Sequence, residues 1–168
     1  MLTAHELFGF MSPPLALEIL TWTHENDKPL YRVTLNGVAE VRKVRAVFLE
    51  RQPKPQRHAD MVATLARPSL EAVTNNLIRG WLLKKHKAML TDFLNALEIK
   101  NEDGVVEQIP PTMDDAKLKT AVDALVAKYP PETVAVYLLA FIEMNEQEWP
   151  NLTTLLNADP RLQLGATA

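Results

Sequence analysis

The sequence predicts an all-α fold: one compact multi-helix domain, a helical bundle of roughly six to eight helices, over residues 1–168. Two observations carry this. Twelve prolines, at 13, 14, 29, 53, 55, 68, 110, 111, 130, 131, 150 and 160, all fall between segments that read as helices. Between them, apolar residues recur at three- and four-residue spacing, the period of a helix face. Proline inside a helix costs about 3 kcal/mol, whereas the first turn tolerates it because that N–H has no helical partner. Apolar residues make up 47% of the chain and charged residues 23%, a globular balance rather than a disordered one.

Taken in order, Thr3-Ala4-His5-Glu6 is a capping-box pattern that opens a short helix. Residues 1–11, with Leu7, Phe8, Phe10 and Met11, form an apolar segment too short to fold alone. It must dock on the main body or on a second copy, and a homodimer is the favoured expectation. Ser12-Pro13-Pro14 starts a second helix, with Leu15, Ile19 and Trp22 on one face. The stretch 29–52 reads two ways. Asn36-Gly37 between Tyr31-Val33-Leu35 and Val38 is a hairpin signal, which would make the fold α+β with a small hairpin at 30–41. Val33, Gly37, Val41, Val44 and Phe48 instead recur at helical spacing, and Asp27 before Pro29 is a helix start. The helical reading is favoured.

His58, Met61, Val62 and Leu65 mark a helix that stops before Pro68, and Ser69 caps the longest run, a central helix over 70–98. Its stripe is Ile78, Leu82, His86, Met89, Phe93 and Leu97, with Gly80 as a candidate kink. Residues 101–111, polar around Gly104, form the one clear loop. Thr112 opens a helix with Leu118, Val122, Leu125 and Tyr129 on one face. Pro131-Glu132 opens another, in which the apolar run Val134–Ile142 demands burial on most sides. Pro150 opens a last helix, and 161–168 read as a loose tail.

Charge is unevenly spread. Residues 32–87 hold twelve Lys/Arg against four acids, and residues 88–168 hold five Lys/Arg against thirteen. A basic middle of this kind suits an anionic partner, or complements the acidic half. Its candidate contact residues, for a protein or nucleic-acid partner, are Arg42, Lys43, Arg45, Arg51, Lys54 and Arg57. The sequence pI of about 5.8 argues against nucleic acid, for which a basic domain is the usual footprint.

Catalytic signals are weak. Only Ser12 and Ser69 are serines, both beside proline at helix starts, and no Gly-x-Ser-x-Gly elbow exists. The five glycines never cluster as a phosphate-binding loop does. His5-Glu6 lacks the second histidine of a zincin helix, no Glu-x-x-His occurs, and there is no cysteine, so neither a metal nor a cofactor is expected. His86, among Lys84, Lys85 and Lys87, reads first as a histidine packed in the helix stripe with one ring N–H bonded to a carbonyl or carboxylate. The alternative is a polar group lining a pocket with the 101–111 loop, or an interface. The leading expectation is therefore a non-enzymatic protein-interaction or assembly module. The alternatives are nucleic-acid binding through 42–87, or an enzyme or small-ligand receptor with a pocket near His86. The lack of cysteine, of a secretory signal in Met1–Leu20 and of any apolar run near the roughly 20 residues a membrane span needs makes a cytoplasmic, membrane-free protein the expectation.

Overall fold

A computed structural model of the chain describes residues 2–145 and 148–165. The described residues are all-α, with ten α-helices and two short 3-10 turns. They fall into two compact units, residues 2–81 and the residues from 82 onward.

The first unit starts with α1 (Ala4–Phe10), α2 (Pro13–Asn26) and α3 (Lys28–Arg42). It continues through α4 (Ala46–Arg51), α5 (Lys54–Leu65), a 3-10 turn at Pro68–Leu70 and the start of α6 (Glu71–Lys85). Helix starts follow the sequence: Ser12 and Asp27 cap α2 and α3 with their side chains, each with proline in the first turn. The N-terminal segment docks within its own unit, where α1 packs on α5 and the 3-10 turn. Leu7, Phe8 and Met11 are buried while Phe10 is exposed. Glu71 fastens that segment from 66 and 67 positions away, accepting the Ala4 N–H at 2.8 Å and the His5 N–H at 2.9 Å. Burial pushes the Glu71 carboxyl up, but the hydrogen bonds from His5 and Ala4 outweigh it and hold the group below its usual range.

The stretch 29–52 is helical, as favoured, but it is two helices. α3 ends in a Schellman arrangement: Val44 N–H reaches the Ala39 carbonyl at 3.0 Å and Lys43 N–H reaches Glu40 at 3.1 Å. Lys43 takes the left-handed conformation, φ 55°, at a position where glycine is usual. The hairpin reading of Asn36-Gly37 fails because helix packing uses that glycine. A Cβ on Gly37 would lie 2.9 Å from Val73 Cγ2, so the bare backbone lets α3 approach the start of α6.

The second unit comprises the end of α6, then α7 (Lys87–Ala96), α8 (Asp115–Lys128), α9 (Pro131–Met144), α10 (Pro150–Ala158) and a 3-10 turn at Pro160–Leu162. The expected continuous helix over 70–98 is interrupted at His86, which has φ −109° and ψ 25° and precedes α7. Lys84 and Lys85 form the last turn of α6, where cations complement the negative end of a helix. The apolar stripe keeps its phase across this break, so periodicity alone cannot register it. Gly80, the candidate kink, lies inside regular helix.

α9 is buried nearly all round, as its composition demands. Phe93 of α7 packs edge-on against Tyr137 and Phe141 of α9, with ring centroids 5.5 and 5.6 Å apart. Asp92 clasps α8 by accepting the Tyr129 hydroxyl at 2.6 Å and the Lys128 ammonium at 2.7 Å. Of the tail, Arg161 pairs with Asp123 and Asp159 and Leu162 is buried, while 166–168 lie outside the described residues.

A tight hairpin turn does occur, at Asp103-Gly104. Both residues have positive φ, 52° and 87°, and Glu102 and Val105 exchange backbone hydrogen bonds of 2.9 and 3.0 Å. A Cβ on Gly104 would stand 2.7 Å from Leu90 Cβ. Gly104→Ala therefore combines an unfavourable dihedral with a clash, and destabilisation of about 1–3 kcal/mol is expected in urea denaturation. An unchanged midpoint would show that the turn relaxes freely.

Candidate functional site

The six predicted contact residues divide into distinct environments. Arg42 pairs with Asp60 at 3.6 Å and Lys54 with Glu25 at 3.6 Å. Arg57 is buried, 9% exposed, and donates to the Glu50 carbonyl at 3.1 Å. Lys43, Arg45 and Arg51 are exposed and have no acidic partner among the described residues.

Lys43 and Arg45 sit where α3 gives way to α4, and Arg51 ends α4. Leu49 anchors α4 at 1% exposure, which turns the opposite side of this six-residue helix outward. Val47 is 46% exposed and Phe48 57%, both large apolar side chains left in water. Val44, Arg45, Val47, Phe48 and Arg51 line a depression of about 380 Å³. Val33, also assigned to the apolar stripe with Phe48, is exposed as well. That stripe lies on the wrong side of α3, whose inward face is Tyr31, Thr34, Leu35, Val38 and Ala39, and in α4 Leu49 takes the inward position.

Arg57 leads to a second feature, a buried polar cluster between α2, α3 and α5. The Tyr31 hydroxyl lies 2.9 Å from His58 Nε2, and the Arg57 guanidinium stands 6.0 Å from the Tyr31 ring centre. His24 completes the cluster, with ring centres 4.5 Å from Tyr31 and 5.8 Å from His58. Desolvation, with Arg57, His24 and Lys54 nearby, holds the His58 imidazole down at about 4. Desolvation, then Arg57 and Lys54, lowers His24 too. A neutral His58 shares a hydrogen bond at Nε2 with the Tyr31 hydroxyl, which also lies 3.8 Å from Met61 Sδ. His58 is 2% and Tyr31 8% exposed, so the pair is buried where the three helices meet. The sequence places His24 beside Glu25 and Asp27 at a helix end; its real neighbours arrive from α3 and α5.

His86 is half-buried at the α6–α7 break. The 101–111 loop borders a cavity of about 510 Å³ lined by Lys100, Asn101, Glu102, Val105, Glu107 and Gln108, and His86 is not one of them. The loop region is anchored within its own unit, because Trp149 Nε1 donates to the Pro110 carbonyl at 2.8 Å and Asn151 to that of Met113 at 2.6 Å. Among the described residues no three His, Asp or Glu side chains converge as metal ligands, and no helix is long and apolar enough to cross a membrane. No protein-family model, curated protein or solved structure matches the chain.

Proposed function

We propose that this chain is a non-enzymatic helical protein-interaction module whose contact surface is the α3–α4 corner. The observation that supports this reading is the exposure of Val47 and Phe48 on one short helix, beside cations that no acid of the same unit neutralises. Exposed apolar side chains rimmed by charge are the composition of a contact site. The partner is a protein, either another chain or a second copy of this one. The absence of cysteine fits a reducing, cytoplasmic setting for that encounter.

A photo-reactive phenylalanine analogue placed at Phe48 tests this in the native cell, with the same analogue at the exposed Ala124 as control. The expected result is a discrete protein adduct at position 48 that is absent at 124. Excess wild-type chain competes it away and the Phe48→Ser chain does not. An adduct with nucleic acid, or identical adducts at both positions, would remove the reading.

A further inference from the structure

We infer that the α3–α4 corner takes an acidic protein segment carrying a large apolar side chain, an inference that rests on the protein-interaction reading. Charge complementarity identifies this occupant. Arg32 pairs with Glu50, Arg42 with Asp60 and Lys54 with Glu25, and Arg57 is buried. Lys43, Arg45 and Arg51 alone among the cations of this corner keep their charge in water without an acid beside it. Arg45 and Arg51 border the apolar depression of about 380 Å³ formed with Val44, Val47 and Phe48. An apolar side chain seated on Phe48 and Val47 places flanking Asp or Glu carboxylates within reach of Arg45 and Arg51. Their guanidinium forks suit bidentate carboxylate contact.

The same geometry disfavours a polyanion. Glu40 is exposed one turn before Lys43, and Glu50 is exposed on α4 itself. A continuous phosphate backbone crossing the corner would meet both, whereas a peptide can place its acids only where the cations are. A lipid surface is disfavoured too, since two exposed apolar side chains on a six-residue helix offer little area to bury.

Selection of random twelve-residue peptides from a display library against the immobilised full chain provides the test. The enriched peptides should carry Asp or Glu flanking Leu, Phe, Trp or Met. The strongest of them, synthesised, should lose about tenfold or more in affinity on Phe48→Ser and on Arg45→Glu with Arg51→Glu, and should weaken with added salt. All three substituted positions are exposed, and circular dichroism checks that the variants stay folded. Enriched peptides without acids, bound by the double charge reversal as well as by wild type but lost with Phe48→Ser, would overturn the acidic-partner inference while sparing the interaction reading. Failure to select any Phe48-dependent peptide would overturn both. Tighter binding of a single-stranded oligonucleotide, or of vesicles containing anionic lipid, lost in the same variants, would also overturn both.

Discussion

Phe93→Ala lowers the free energy of unfolding by about 3–5 kcal/mol, the usual cost of emptying an aromatic core site. Phe93 is fully buried, and its ring meets Tyr137 and Phe141 of α9 edge-on. Phe141 in turn stacks on Trp149, ring centres 5.4 Å apart, so the aromatic group joins α7 and α9 to the residue that precedes α10. Removing the ring leaves a void that rigid neighbours fill only partly, and it also removes the edge-to-face contacts. Urea denaturation monitored by tryptophan fluorescence measures the loss. A change below about 1 kcal/mol would mean that the site collapses around the missing ring, contrary to the packing described.

The second large effect is a loss of stability in mild acid, caused by His58. Its imidazole is held down at about 4 in the folded chain, against about 6.5 for an unperturbed histidine. The unfolded chain therefore binds a proton that the folded one refuses between these values. The contribution is fully present above pH 6.5, declines as pH falls toward 4 and is level below that. Its size is on the order of 3 kcal/mol. Protonation would set a buried cation beside Arg57 and Lys54. His24, also lowered, adds in the same direction. Carboxylates held low by hydrogen bonds, such as Glu71 and Asp92, act mainly below about pH 4.5, so the window above it belongs to the histidines. The measurement is unfolding free energy from pH 7.5 to 4 for the wild type and for His58→Gln. The wild-type curve should fall more steeply between 6.5 and 4.5. Parallel curves would show that His58 is not kept neutral.

The contrast between these sites explains what the sequence makes legible. Helix starts are readable because Ser12, Asp27 and the prolines at 13, 29, 131 and 150 act locally. Two helix ends are not, because the left-handed closing positions are Lys43 and Glu98 rather than glycine. The hairpin signal at Asn36-Gly37 yields to tertiary packing against Val73, while the Asp103-Gly104 pair keeps its turn because no apolar stripe competes for it. For the α3–α4 corner, the sequence supplies the cations but not which of them are neutralised. Asp60 and Glu25 are distant in the chain from Arg42 and Lys54, and tertiary packing buries the Leu35 and Val38 face of α3 and Leu49 of α4 rather than the stripe of Val33 and Phe48.

The Glu71 contact with the first turn of α1 also sets an order of events during synthesis. The seven residues of α1 are translated well before the residue whose carboxylate accepts the Ala4 and His5 N–H groups. A helix that short does not hold itself in water. Until α5 and the 3-10 turn after it have been made, Leu7, Phe8 and Met11 lack the helices that bury them, so this apolar segment stays uncovered through most of the translation of its unit.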